Sequence, residues 1–250
     1  MGELTQFAQR FLPREARPLA AGLYWLGSRY RCPICRWPAR AFRPLAVNPE
    51  FCERCSRCGS LARHRVLWLF FERQTDLFRS PLKLLHFSPE ACFMDRLSRL
   101  KNLDYTTADI AGGYTSWMET LDVTAIAKPD MTYDAVICLH VLQAVEDDRK
   151  AMRELFRVLK PGGWAILNSR LDTDALSTRP NPDLPPPDVR AKSPHQDFAF
   201  RIYGRDFADQ LRETGFDVEV VPFKQSLTPA EIDRYYLHVP GDVYMCRRPR

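Results

Sequence analysis

Apolar and polar positions fall into two distinct rhythms between Tyr133 and Ser169, YDAVICLHVLQAVEDDRKAMRELFRVLKPGGWAILNS. Ala135 to Leu139 is a nearly continuous apolar run, the pattern of a strand buried on both faces of a parallel sheet. Glu146, Asp147 and Asp148 then supply the acidic start that a helix N-terminus favours. Met152, Leu155, Phe156 and Leu159 recur at helical spacing and form one apolar stripe. Pro161-Gly162-Gly163 is expected to stop that helix, and Trp164 to Leu167 reads as the next buried strand. The unit predicted is strand–helix–strand with a right-handed crossover. Upstream, Leu82 to Phe87 and Leu103 to Ala108 read as further strands. Downstream, a helix over Arg205–Thr214 ends at Gly215, and Phe216 to Phe223 with Asp242 to Cys246 are expected as an antiparallel closing pair at the sheet edge. The fold class is α/β, with a mostly parallel sheet.

The first third of the chain has a different grain. Residues 3–29 hold two short amphipathic pieces separated by Pro13 and Pro18, a packing arm without chemistry. Cys32-Pro-Ile-Cys35 and Cys55-Ser-Arg-Cys58-Gly59 form two CxxC turns. Zinc prefers four sulfur or nitrogen ligands in a tetrahedron, and such turns deliver two thiolates each. A segment of this size has too little core to fold alone, so metal binding would contribute its folding energy. Trp37, Phe42, Leu45 and Val47 suit the small strands of a zinc ribbon. Cys52 forms a CxxC pair with Cys55 as well, and His64 is another possible ligand; Gly59 after Cys58 favours Cys32, Cys35, Cys55 and Cys58. With all four positions filled by the protein, the site is structural. Ser60 opens an apolar helix, SLARHRVLWLFFERQ, with Leu61, Leu67, Trp68 and Phe71 facing inward. The expected divisions are an arm over 1–29, a zinc ribbon over 30–60, a linking helix over 61–80 and the sheet domain over 81–250.

Composition narrows the class of partner. The 250 residues are 45% hydrophobic and 12% aromatic, enough for one ordinary domain and a small appendage. No apolar run approaches the roughly 20 residues of a membrane helix, and the N-terminus lacks the basic-then-apolar order of a signal peptide; a soluble cytoplasmic protein is expected. Five of the eight Cys lie between Cys32 and Cys58, which in such a compartment points to metal and not to disulfides. Residues 1–80 carry fourteen Arg and no Lys against six acidic side chains, a local +8 within a total of +5. That asymmetry suits nucleic acid or another anion, although along the sequence the basic positions lack the aromatic interleaving of a base-stacking platform.

The order "YDAVICLHVL…DD…AMRELFRVLKPGGWAIL" resembles the fourth strand, following helix and fifth strand of class I methyltransferases that use S-adenosylmethionine, with "RVLKPGG" its most specific piece. "CGSLARHR" before an apolar helix and "RIYGRDF…LRETGF" near the C-terminus resemble a group of uncharacterised bacterial methyltransferases with an N-terminal zinc ribbon, over most of residues 30–248. The resemblance implies a Rossmann-like methyltransferase sheet, S-adenosylmethionine and Zn2+ as cofactors, and a small-molecule or natural-product acceptor. It places His86, Phe87, Ser88 and Glu90 at the first-strand turn beside the cofactor's amino-acid end. That turn departs from the common pattern in having no glycine; Ser88 is expected to cap the next helix, with Pro89 at its first position. Asp109, followed by Ile110, is placed to accept the ribose hydroxyls, and Asp122 with Val123 resembles the element beside the adenine. Leu139 closes the fourth strand at the cofactor. Gly112-Gly113-Tyr114 and Trp117 are expected to border the pocket.

His140 follows that strand at the edge where open α/β sheets bind ligands. It reads either as a proton acceptor for the substrate, since imidazoles titrate near neutrality, or as a structural histidine. The frequent "HVLEH" is replaced by His140-Val-Leu-Gln143-Ala144. Arg201 and Tyr203 in the family-like "RIYG" are further catalytic candidates. The Pro-rich stretch from Leu171 to Ser193 is a flexible connection or a substrate-covering lid. Alternative readings are an RNA methyltransferase using the basic zinc module, and a methyltransferase-like binding protein without catalysis. The oligomeric state and the acceptor atom are not specified by any motif.

Overall fold

The computed structural model describes residues 22–44, 52–110, 118–191, 198–239 and 242–250. The arm before residue 22, Leu45 and Val47, and the Gly112-Gly113-Tyr114 loop with Trp117 lie outside the described residues. In chain order the strands and helices are β1 (Tyr30–Arg31), β2 (Pro38–Ala39), β3 (Arg43–Pro44), β4 (Cys52–Arg54), α1 (Ala62–Gln74), β5 (Leu82–Phe87), α2 (Ala91–Leu97), β6 (Leu103–Asp109), β7 (Glu119–Thr120), β8 (Tyr133–Leu139) and α3 (Asp148–Val158). There follow β9 (Leu159–Asn168), β10 (Arg179–Pro180), α4 (Pro187–Ala191), β11 (Arg201–Ile202), α5 (Phe207–Arg212), β12 (Asp217–Pro222), α6 (Pro229–Tyr235) and β13 (Asp242–Arg247). The chain divides into two compact units: residues 1–78, 90–99 and 222–242 in the first, and 79–89, 100–221 and 243–250 in the second.

The second unit is built on a seven-stranded sheet of order β12-β13-β9-β8-β5-β6-β7. Strands β5, β6, β7, β8 and β9 pair in parallel, and β13 runs antiparallel to β9, as the hydrophobic pattern predicts. Strand β8 is buried at six of its seven positions, as a central parallel strand flanked by crossover elements must be. Helix α3 turns Ala151, Met152, Leu155 and Val158 into the core, where they meet Val136, Cys138, Ala165 and Leu167. Asp147 caps its N-terminus by accepting from the Lys150 amide at 2.9 Å.

This helix ends with two residues left before Pro161, as expected of a helix followed by a proline. The helix ends at Val158, and the triplet lies inside β9 as an irregularity in its pairing with β8. A distant residue also caps this end: the Arg248 guanidinium donates to the carbonyls of Phe156, Arg157 and Leu159 at 2.8–3.1 Å. A cation there satisfies the orphan acceptors of a helix C-terminus. Gly163 serves close approach, since a Cβ at this position would lie 2.8 Å from the Asp134 carbonyl oxygen. The segment after β9 returns as the antiparallel pair β10–β11, held by Asp206, whose carboxylate accepts from the Thr178 amide and hydroxyl at 2.8 Å.

The first unit is organised around α1. His64 to Phe71 are all buried, so this helix is apolar on nearly every side, and Leu67, Trp68 and Phe71 are among its inward contacts as expected. Phe93 of α2 stacks near Trp68 and meets Phe71 edge-on, while Phe70 meets Phe223. Arg65 sits among these rings with no exposure. Its guanidinium donates to the carbonyls of Glu53, Ser60, Tyr235 and Tyr236 at 2.7–3.0 Å and lies 4.0 Å over the Phe42 ring. A buried charge of this kind is tolerated because its donors are used.

Candidate functional site

Two sites can be built from the described residues, one in each unit. In the first unit, the Cys32, Cys35, Cys55 and Cys58 sulfurs all lie within 4.8 Å of one another. The two CxxC turns are near copies. Arg36 N donates to Cys32 O and Gly59 N to Cys55 O, each at 2.9 Å, while Cys32 N reaches Trp37 O and Cys55 N reaches Ser60 O. Each turn closes on a left-handed residue, Arg36 (φ 62°) and Gly59 (φ 75°); glycine takes this conformation freely and arginine at some cost. Sγ–Sγ separations are 3.7 Å for Cys32–Cys58 and 3.6 Å for Cys35–Cys55. Four thiolates bonded tetrahedrally to zinc at about 2.3 Å stand about 3.8 Å apart, so the donor set fits that ion. Ser60 Oγ lies 3.3 Å from both Cys32 Sγ and Cys58 Sγ, a hydroxyl positioned to donate to a thiolate. The strand pairs β1–β2 and β3–β4 are compatible with a zinc ribbon. His64 turns elsewhere: its Nδ1 accepts from the Leu61 amide and lies 3.6 Å from Cys92 Sγ. The Cys52 side chain lies outside the described residues.

In the second unit, β5, β6 and β8 end side by side. Phe87 is in register with Ala108 on one neighbour and Cys138 on the other. Ser88 (φ 44°) and His140 (φ 59°), just past two of these ends, both have left-handed backbones. Non-glycine residues adopt that conformation at a cost and concentrate at functional sites. Ser88, expected to cap the next helix, does something else. Its amide donates to Ala108 O and its hydroxyl to Asp109 Oδ2, both at 2.8 Å; the helix cap is Glu90, with no side-chain bond to the helix, and Pro89 precedes it. The left-handed turn aims Ser88 back across β6 and away from the chain ahead. Asp109 is therefore oriented from a neighbouring strand tip.

The other cofactor candidates divide by exposure. Ile110 is 69% exposed, whereas Val123, Leu139 and Phe87 are buried in or beside the core. Asp122 is exposed, and its Oδ1 accepts from the Thr124 amide and hydroxyl at 2.8 Å, closing its own turn. His86 is fully buried, with Nδ1 2.9 Å from the Tyr105 hydroxyl. Glu90 belongs to the first unit.

The three catalytic candidates make different contacts. His140 is half-buried at the β8 tip, its amide donating to Asn168 O at 2.8 Å. Tyr203 is fully buried, its hydroxyl donating to Asp148 Oδ2 at 2.6 Å. Burial and the Asp148 carboxylate both push this phenol above its ordinary pKa, which keeps it a donor. Arg201 lies 3.1 Å from the same carboxylate and donates to the carbonyls of Leu142, Val145 and Glu146. These two residues brace the turn that follows His140.

Gln143, which stands where the common pattern differs, was without a role in the sequence. Its Oε1 accepts from the Ser169 hydroxyl and the Arg170 amide at 3.0 and 2.6 Å, and its backbone oxygen accepts from Phe200 N. Only tertiary pairing brings these partners together. The closest signal in the sequence was the departure from "HVLEH" itself.

Residues 94–167 match a family described as a methyltransferase domain. A stretch of 43 residues is 49% identical to the ubiquinone/menaquinone biosynthesis C-methyltransferase UbiE of Pasteurella multocida (strain Pm70), 17% of this chain and 16% of that protein. The match thus spans under a fifth of the relative's length. Among solved structures, an S-adenosylmethionine-dependent methyltransferase from Mesorhizobium loti superimposes with a TM-score of 0.51 at 15% identity, covering 73% of this chain and 98% of that one. The 1,6-didemethyltoxoflavin-N1-methyltransferase of Burkholderia thailandensis, solved with 1,6-didemethyltoxoflavin and S-adenosylhomocysteine, gives 0.47 at 14% identity over 76% and 79% of the two chains. The sheet order is that of the Rossmann-like methyltransferase fold, and residues 94–167 within it are similar to a methyltransferase domain. Among the described residues, no helix is long and apolar enough to cross a membrane.

Proposed function

We propose that this protein transfers the methyl group of S-adenosylmethionine to a small organic acceptor, with Asp109 as the principal cofactor carboxylate. The observation that carries the reading is the Ser88–Asp109 pair at adjoining strand tips, at the edge where open α/β sheets take ligands. The local likeness to a quinone-biosynthesis C-methyltransferase supports a small acceptor.

When bound, S-adenosylmethionine supplies an electrophilic methyl group. The share of this chain is to bind, align and exclude water. Asp109 accepts the ribose hydroxyls, its orientation maintained by the Ser88 hydroxyl. Ile110 offers the exposed apolar surface for the base in place of the buried Val123, and Asp122 accepts from its amine. His140 takes a proton when the acceptor is a hydroxyl or a protonated amine; Arg201 and Tyr203 are positioning residues that steady the turn after it. Cys32, Cys35, Cys55 and Cys58 hold Zn2+, which stabilises the fold and leaves no open coordination position for chemistry.

Titration calorimetry with S-adenosylmethionine and S-adenosylhomocysteine tests the reading. Wild-type protein is expected to bind both, with Asp109→Ala weakening each by about tenfold or more, the loss of a charged hydrogen-bonding group. Binding of neither molecule by the wild type would overturn it.

A further inference from the structure

We infer that the zinc-ribbon segment carries a surface for single-stranded RNA, built on Arg40 and Arg57 stacked over Tyr24, Trp25 and Trp37. Contrary to the expectation from the linear sequence, basic and aromatic positions do interleave here, as in Arg29-Tyr30-Arg31, Arg36-Trp37 and Arg40-Ala41-Phe42-Arg43, and the folded chain brings several of them together. The Arg40 guanidinium lies 4.7 Å from the Tyr24 ring centre and 5.5 Å from that of Trp25, and Arg57 lies 5.9 Å from that of Trp37. The two stacks are joined through residues 22–25. Arg40 N donates to Trp25 O at 2.9 Å, and the Trp37 indole donates to Gly22 O at 3.2 Å. A Cβ at Gly22 would touch both the Trp37 ring and Arg57 Cδ, at 3.3 and 3.4 Å. Both arginines are exposed and Tyr24 is 43% exposed.

The charge of the segment is one-sided. Its described residues from 22 to 65 include nine Arg, no Lys and one carboxylate, Glu53. Arg65 is consumed internally and Arg36 pairs with Glu72. A guanidinium held over a ring face is restrained while it stays exposed, and it can offer two N–H donors to a phosphate. The rings beside it offer π-faces to unpaired bases, and stacking with backbone charge contacts is how single strands are held without sequence preference. An acidic protein partner would use the charges and leave the rings idle. The surface lies wholly in the first unit, and RNA bound here is a ligand of the zinc module whatever the acceptor of methyl transfer, so the inference goes beyond that reading.

Fluorescence anisotropy with a labelled single-stranded RNA of about a dozen nucleotides, using the full zinc-loaded chain, tests it. Binding is expected at about 50 mM salt and should weaken steeply towards about 200 mM. The double variant Arg40→Glu, Arg57→Glu should lose about tenfold or more in affinity and lower the salt slope by about 1.4, two phosphate contacts at about 0.7 each. Its zinc content, melting temperature and S-adenosylhomocysteine binding should stay at wild-type values. No binding at low salt, equal binding by the double variant, or tighter binding of polyglutamate than of RNA would overturn the inference.

Discussion

Replacing Arg65 by Met is the sharpest test of how the first unit is held together. The side chain is fully buried and makes four hydrogen bonds to main-chain oxygens, of Glu53, Ser60, Tyr235 and Tyr236. Methionine fills much of the volume over Phe42 and removes a desolvated charge, which offsets part of the damage. The Ser60 oxygen keeps a second donor, the Cys55 amide at 2.8 Å, so the cost falls on the other three. At about 1–2 kcal/mol for each of these part-buried acceptors deprived of a charged donor, the loss is about 3–5 kcal/mol. That is a large part of the 5–15 kcal/mol by which domains are usually stable, and it corresponds to about 6–20 °C in Tm for a chain of this size. Circular-dichroism melts and urea titrations of wild type, Arg65→Met and Arg65→Lys check it, with the lysine variant intermediate because it keeps the charge but has one donor centre. An Arg65→Met protein melting within about 2 °C of wild type would refute the assignment of these four bonds as the clasp.

Purified protein should contain about one zinc per chain by atomic emission, and Cys32→Ser with Cys58→Ser should lose the metal and much of its solubility; full metal in that double variant would refute the ligand set. Tyr203→Phe should cost about 2 kcal/mol of stability, the worth of a hydrogen bond to a charged acceptor, while methyl transfer persists; abolished transfer in a stably folded variant would instead make Tyr203 catalytic. Glu231 is held down to about pH 2 by the Thr228 amide and by Arg73, well below the ordinary glutamate value. A depressed carboxyl contributes stability that is complete above its unfolded pKa and lost as pH falls through its folded one. Urea midpoints should therefore decline between about pH 5 and pH 2, and Glu231→Gln should flatten that decline.

The sheet was legible because a parallel strand buried on both faces leaves an apolar run that few other elements produce. Tyr133–Leu139 was found nearly to its ends for that reason, whereas Leu103–Asp109, largely polar and only partly buried, carries a weaker form of the same signal. The CxxC turns were legible because two thiolates three positions apart in sequence close locally, without help from the rest of the fold. What the sequence concealed were long-range pairings. Arg248 caps a helix about ninety residues earlier in the chain, and Arg65 reaches across 170 residues to Tyr235; neither guanidinium looks different from a surface arginine in the sequence. Ser88 was misread because a Ser-Pro before a helix has the composition of a cap, and only its positive φ turns it towards Asp109 instead. Tyr203 and Arg201 were grouped with His140 by family likeness, whereas burial and the Asp148 carboxylate give them a bracing role.

A crystal structure of the chain with S-adenosylhomocysteine tests the central claim most directly. The account predicts the ribose hydroxyls within hydrogen-bond reach of the Asp109 carboxylate, with Ser88 still donating to its other oxygen. Ligand bound with its ribose away from Asp109, or crystals that take up none at saturating concentration, would contradict it.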